Sequence, residues 1–375
     1  MNYTPPFCPR PECPSHGSEE FRFRRSGYYT RICDKAMVPR FRCLICLRGF
    51  SRQTFRVNYR LHRPELDMRA AWCFVSKVTM RQSARFLGCR RETIELRLRR
   101  FGDQGWAFHA DQLLKIASSG GLEGAFQLDE LETYEGDRRL APVTVPVLIH
   151  QVSQLTLDAQ PGRMAARGNL TPHHEERKKR KEQEHGRRTS ESASVVEHCL
   201  LTLKAVLKTS SESVLRTDEK RLYTALLRRL SIPIQHEKTN SKEPRTTSNP
   251  LFAINHTFAT MRDGVSRLVR RSWGVSKQRQ RLKSHLDFYL AWRNYVRRRF
   301  NRDDANQSPA QVAGVMESAI SMEDLLGWAV FPWRLGLDNL SRIATLRHGS
   351  EEREPTQLGQ SHLRQKSGTT RATTA

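Results

Sequence analysis

FQLDELETYEG, residues 126–136, is the stretch on which the fold turns. Asp129 lies among the apolar residues Phe126, Leu128 and Leu131 while Glu130 and Glu132 alternate away from it, and the stretch runs into Gly136 and Asp137, a pair suited to a turn. Beyond that turn, VTVPVLIH (143–150) and SQLTLDA (153–159) are again strand-like. Helical spacing then recurs at 194–208 through Val195, Val196, Cys199, Leu200, Leu203 and Val206. SVLRTD (213–218) reads as a short strand ending on Asp218 and feeding a helix through Leu230. SIPIQH (231–236) reads as a further strand, 238–250 as a polar loop, and 251–271 and 280–300 as long helices. Strands followed by helices predict an α/β domain over 124–335 with a helical C-terminal part. Within it, the charged run at 171–191, including HHEERKKRKEQEHGRR, reads as a solvated insertion, flexible or helical. The polar, aperiodic stretch 349–375 predicts a disordered tail.

Upstream of this domain the composition changes. Residues 1–60 are rich in Cys, Pro, Arg and aromatic residues, as suits a small module held by metal. Cys8 and Cys13 flank four residues; Cys43 and Cys46 flank two, inside FRCLICLRGF (41–50). Two such turns can each present two thiolates to one tetrahedral Zn²⁺, so a structural zinc ribbon is expected on Cys8, Cys13, Cys43 and Cys46. The first pair is the looser one, and His16 or Cys33 could take the place of one of its members. Four thiolates leave no open position, which argues against a catalytic role for this zinc.

Residues 64–102 carry TMRQSARFLGCRRETIELRLRRFG (79–102), in the order of a helix-turn-helix. Ala84, Phe86 and Leu87 give the first helix an apolar face, Gly88 takes the turn, and Ile94 and Leu98 turn the second helix inward. That leaves Arg90, Arg91, Thr93, Arg97 and Arg100 outward, side chains suited to guanine edges and phosphates.

Charge and composition fit this layout. Among 375 residues, 64 Lys and Arg against 39 Asp and Glu give a formal charge of +25, spread along the chain. Such a field draws phosphate polymers with strong salt dependence. No segment approaches the roughly 18 apolar residues of a spanning helix, and MNYTPPF does not open a signal peptide. Eight cysteines are too sparse for a disulfide framework. A reducing cytoplasmic setting, associated with the nucleoid, and no membrane partner are therefore expected.

The order zinc ribbon, helix-turn-helix, then strands bearing an acid resembles bacterial insertion-sequence transposases with an RNase H-like DDE domain. The resemblance rests on FQLDELETYEG with Asp129, SVLRTDEKRLYTALLRRL (213–230) with Asp218, and NPLFAINHTFATMRDGVSRLVRRSWGVSK (249–277). HLDFYLAWRNYVRRRFN (285–301) and SPAQVAG (308–314) extend it over most of 1–335. It implies metal-dependent DNA cleavage and strand transfer on double-stranded DNA, at element ends and target, by a homo-oligomer. It also implies that Asp129 and Asp218 lie side by side and share catalytic Mg²⁺ or Mn²⁺. The family carries a Glu on the helix that begins near Asn249, where this chain has Asn255 and His256. Asn255 offers a neutral oxygen and His256 a softer nitrogen; Glu237 and Glu243 lie upstream. Arg262, seven residues from Asn255, falls on the same helical face and is a candidate DNA-backbone contact. A catalytically inactive, DNA-binding or regulatory descendant is the alternative that this departure leaves open.

Overall fold

The computed structural model describes residues 3–16, 20–208, 212–240, 242–244, 246–269, 274–302 and 305–328. The tail expected at 349–375, and 329–335 of the expected α/β domain, lie outside the described residues. The first sixty residues build a three-stranded antiparallel sheet in the order β1 (Phe23–Thr30), β2 (Met37–Cys43), β3 (Gly49–Ser51). Its small core is sulfur and rings: Phe41 stacks on Phe50 at 5.7 Å, and Phe55 meets Phe7 and Phe50 edge-on at 5.1 and 5.8 Å.

Three helices follow, α1 (Asp67–Val75), α2 (Met80–Phe86) and α3 (Arg91–Ser118). A reciprocal cap opens α2, with Gln82 N–H donating to Thr79 Oγ1 and Thr79 N–H to Gln82 Oε1. Gly88 takes the tight turn at φ +58°, where a side chain would be strained. Ile94 and Leu98 are fully buried, as their spacing predicts, but Phe86 is 82% exposed and does not join the apolar face expected of it. The boundary expected at 102 is also absent. Helix α3 continues for 28 residues and lies along α8 (Arg279–Tyr295) so closely that a Cβ on Gly102 would sit 2.4 Å from the Ser284 carbonyl oxygen. One buried apolar cluster runs from Leu66 to Leu326, so the helix pair shares its core with the domain that follows.

The main sheet comprises β4 (Ala125–Tyr134), β5 (Pro142–His150), β6 (Leu155–Ala159), β7 (Gly162–Arg163), β8 (Val214–Asp218) and β9 (Gln235–Thr239). Its order is β6-β5-β4-β8-β9, with β7 paired to β5. The β4/β5 and β5/β6 pairs are antiparallel, while β4/β8 and β8/β9 are parallel. Every residue of β5 is buried, which accounts for its unbroken apolar run. Helices α5 (Ser192–Val206) and α6 (Arg221–Leu230) cover one face: Val195 closes over Gly162, and the Tyr223 hydroxyl reaches Glu130. The other face holds α3, α7 (Phe252–Gly264) and α8, through His109 on the Leu157 carbonyl at 3.0 Å and Asn294 on both backbone groups of Thr156. The short helices α9 (Pro309–Val312) and α10 (Met322–Gly327) come last, and α4 (Pro172–His185) is the charged insertion.

Two element boundaries differ from expectation. The strand expected at 231–236 starts at Gln235, because Ser231 caps α6 in a left-handed conformation and Ile234 N–H turns back to Ile232 O. The helix expected to reach 271 ends at Gly264, whose missing side chain admits the Tyr289 ring; the chain then enters a short 3-10 turn at Ser266–Leu268. Among the described residues no helix is long and apolar enough to cross a membrane.

Candidate functional site

The four ribbon cysteines converge. Their sulfurs lie within 4.8 Å of one another, with Cys8–Cys46 at 3.6 Å and Cys13–Cys43 at 3.8 Å. A zinc ion with bonds of about 2.3 Å to four sulfurs sets tetrahedral edges of about 3.8 Å, so the spacing fits zinc and is far too long for disulfides. The two possible substitutes fall away. His16 donates Nδ1–H to the Cys8 carbonyl at 2.7 Å and supports the ligand loop, whereas Cys33 is exposed in the β1–β2 turn beside Asp34. Burial raises the Cys43 thiol, but the amide N–H groups of Cys46 and Ile45 outweigh it and bring the thiol to about 7. Such inward amides stabilise a thiolate, the form that binds metal.

The acids lie on the main sheet. The β4/β8 ladder ends at Gln127 and Arg216, and Asp129 and Asp218 each lie two residues further along their strands, beyond the last paired positions. Alternation puts Asp129 on the same face of β4 as Gln127, the face that carries α7. Gln127, on this same face, anchors α7: it accepts Ile254 N–H at 2.7 Å and donates to the Pro250 carbonyl at 2.5 Å. Each acid is steadied by a nearby amide, Glu130 N–H on Asp129 at 2.7 Å and Lys220 N–H on Asp218 at 3.0 Å. Glu130 points the opposite way, as alternation predicts, to the Thr144 and Ser192 hydroxyls at 2.9 Å each and to Lys220. Burial, and then the charges of Glu130, Asp129 and Asp218, hold the Tyr223 hydroxyl far above its usual range. Negative charge is therefore concentrated where β4 and β8 meet.

The residues expected at a third corner have other partners. Asn255, next to Ile254 on α7, donates its amide to the Leu251 carbonyl at 2.9 Å. His256 faces elsewhere, toward Gln154 and between the Phe252 and Phe300 rings. Glu237 on β9 pairs with Arg216 at 2.8 Å. Among the described residues, the one group of three or more His, Cys, Asp or Glu ligand atoms drawn together is the cysteine set.

The arginines divide into two sets. Arg90 and Arg91 are exposed at the start of α3, and Thr93 is half-buried. Arg97 corrects the expectation of an outward row. It is 2% exposed and binds Asp67 Oδ1 at 2.9 Å, the Thr93 carbonyl at 3.2 Å and the Arg63 carbonyl at 2.5 Å. The cause is periodicity: Arg97 lies three residues from Ile94 and next to Leu98, so it shares their inward arc. Arg100 is half-buried on the Tyr59 carbonyl at 2.9 Å. Arg262 is half-buried over the Phe258 ring at 6.0 Å. Sequence reasoning missed Arg81 and Arg85 on α2, which with Thr79, Gln82 and Arg91 line an open groove against Gly274. Their one-turn spacing within the quoted helix was the available signal. Compared with protein-family models and with curated proteins, the chain matches none.

Proposed function

We propose that the chain is the DNA transposase of an insertion sequence, binding element ends and catalysing metal-dependent DNA cleavage and strand transfer on an RNase H-like domain. What supports this reading is that Asp129 and Asp218 lie on adjacent parallel strands, each two residues beyond the last paired positions, with Gln127 of the first strand holding the first turn of α7. Two carboxylates on rigid strands are a hard-oxygen donor set suited to Mg²⁺ or Mn²⁺. A divalent ion there would supply Lewis-acid stabilisation of the phosphate and a more acidic attacking hydroxyl or water. The chain's own part is to hold both carboxylates oriented through the Glu130 and Lys220 amides, and to offer Asn255 as a neutral neighbour. The exposed Arg81, Arg85, Arg90 and Arg91 flank the groove between α2 and α3 and would grip duplex DNA in a helix-turn-helix mode. Joining two element ends requires at least two protomers on the DNA.

The absence of a third carboxylate beside the pair, among the described residues, favours a second reading: a transposase-derived DNA-binding regulator without chemistry. Nicking of a supercoiled plasmid in Mg²⁺ or Mn²⁺ separates the two. The transposase reading expects Asp129→Asn and Asp218→Asn each to remove cleavage by about a thousandfold, the rate equivalent of several kcal/mol of metal-borne stabilisation, with DNA binding retained. Wild-type protein that binds DNA but does not nick it supports the regulator. Cleavage that survives Asp129→Asn would overturn the proposed site.

A further inference from the structure

The charged insertion is the motif that this reading leaves without a role. Helix α4 is fully formed: Thr171 caps it by accepting His174 N–H, Pro172 occupies its first turn, and Gly186 ends it at φ +75°. Yet it buries none of its residues. Helices in proteins gain most of their stability from packing an apolar face, and α4 has none to pack. Its anchor to the sheet is an ion pair from Arg177 to Asp137 at 3.2 Å.

At about 100° per residue, Arg177, Lys181, His174, His185 and Lys178 fall within one arc of about 100° that holds no acid, with Glu175, Glu176, Glu182 and Glu184, and also Lys179 and Arg180, outside it. Arg177 and Lys181 sit one turn apart, a like-charge pair that disfavours the helix. Both act on the single carboxylate of Asp137, which they hold below its usual range after burial has raised it and the Leu140 and Arg139 amides have lowered it. The cationic arc therefore looks toward the β4–β5 hairpin. That hairpin exposes Arg138 and Arg139, which line an open cleft with Tyr134 and Asn169; Arg167, also in the cleft, is paired to Glu132 there.

We infer that α4 and the β4–β5 hairpin form a clamp for the phosphate backbone of duplex DNA, engaging the flank of the substrate away from the acid pair. This rests on the DNA-handling function proposed above. The dimensions agree. Fourteen helical residues span about 21 Å, or about six phosphate steps of one strand. Gly136 lies seven strand positions beyond Asp129, about 23 Å, which places the clamp about seven base pairs from the acids along a duplex. The lysines of the arc are point charges suited to phosphates, so the contact proposed is to the backbone and independent of sequence.

The test is the salt dependence of binding to random-sequence duplex DNA by the full chain. Lys178→Gln, Lys181→Gln and Arg138→Gln combined should lower the slope of log K against log salt by about 2.7, that is about 0.9 for each phosphate no longer neutralised. Over a fourfold rise in salt, wild type should then lose about 40-fold more affinity than the variant. A control with the same charge change off the arc, Lys179→Gln, Arg180→Gln and Arg187→Gln, should leave the slope near that of wild type. Lys178, Lys181 and Arg138 are not buried, so folding is preserved and is checked by circular dichroism. Equal slopes for the arc variant and wild type, or equal losses from arc and control, overturn the clamp. Wild-type protein with no duplex affinity, or with preference for RNA in competition, overturns the clamp together with the function it rests on.

Discussion

The ribbon's four cysteines converge on a point, whereas Asp129 and Asp218 sit on neighbouring strands of the main sheet, and the two arrangements are assembled at different ranges. Cys8 with Cys13, and Cys43 with Cys46, sit on two tight turns, and a small antiparallel sheet brings their sulfurs within 4.8 Å. Asp129 and Asp218 are separated by a hairpin meander, a charged helix and a core helix, and come onto neighbouring strands because β8 pairs in parallel with β4. The first site has all its ligands and, with zinc bound, is closed. The second, as proposed, has two acids and only the neutral Asn255 for a third member. A site made of local turns can thus be complete while its partner, made of long-range strand pairing, stays sensitive to a single substitution.

Removing zinc should have the largest effect. Structural zinc contributes about 10–16 kcal/mol to small metal-held folds, far more than the few rings around Phe41 can replace. We expect about one zinc per chain, lost in Cys43→Ser with Cys46→Ser, and an N-terminal sheet that becomes protease-sensitive while the main core stays folded. Metal analysis with limited proteolysis reads both outcomes. Zinc retained by the double variant would break the contrast at its stronger end.

Closure of the ribbon does not isolate it from the helices. Arg31 donates to Gln53 at 2.6 Å, Gln53 to Asn58 at 2.6 Å and Asn58 to Asp67 at 2.7 Å, and Asp67 ends on Arg97 at 2.9 Å. This chain ties the β1–β2 hairpin to α3. Arg97→Ala leaves Asp67 buried without its cation and should cost about 3–5 kcal/mol in chemical denaturation. Arg97→Met with Asp67→Leu should recover most of that loss, since an apolar pair needs no partner charge. An Arg97→Ala protein of unchanged stability but weakened DNA binding would return Arg97 to the interface.

How far each feature could be read in advance follows the same division. The CxxC spacing showed the metal turn directly, and the strands at 125–134, 142–150 and 155–159 followed from β-rich runs between turn residues. Arg97 departs from the outward row that a helical arginine suggests, because its position relative to Ile94 and Leu98 places it inward and its partner, Asp67, lies 30 residues away. The end of α7 was hidden for a similar reason: Gly264 admits Tyr289 from another helix, a contact no local pattern encodes. That β4 and β8, the strands of Asp129 and Asp218, are neighbours could not be read from local pattern, since strand order is a property of the whole sheet.

The smallest expected effect is the most informative about the weaker site. Asn255→Glu adds a carboxylate one residue beyond Ile254, whose amide is already fixed on Gln127 beside the acids. At an effective dielectric near 20, one more negative charge at about 4 Å from a divalent ion is worth several kcal/mol before desolvation, and burying part of a carboxylate takes back much of that. A net gain of about tenfold in Mg²⁺ affinity is therefore expected, read by metal titration of a protein whose fold is unchanged. The substitution also removes the amide bond to the Leu251 carbonyl, so Asn255→Gln serves as the control for lost capping alone. If Asn255→Glu raises metal affinity and nicking while Asn255→Gln does not, the third corner lies on α7 and the natural site is a weakened one. If wild type nicks efficiently and neither Asn255→Glu nor Asn255→Ala changes the rate, the third ligand is elsewhere and the contrast between the two sites no longer turns on Asn255.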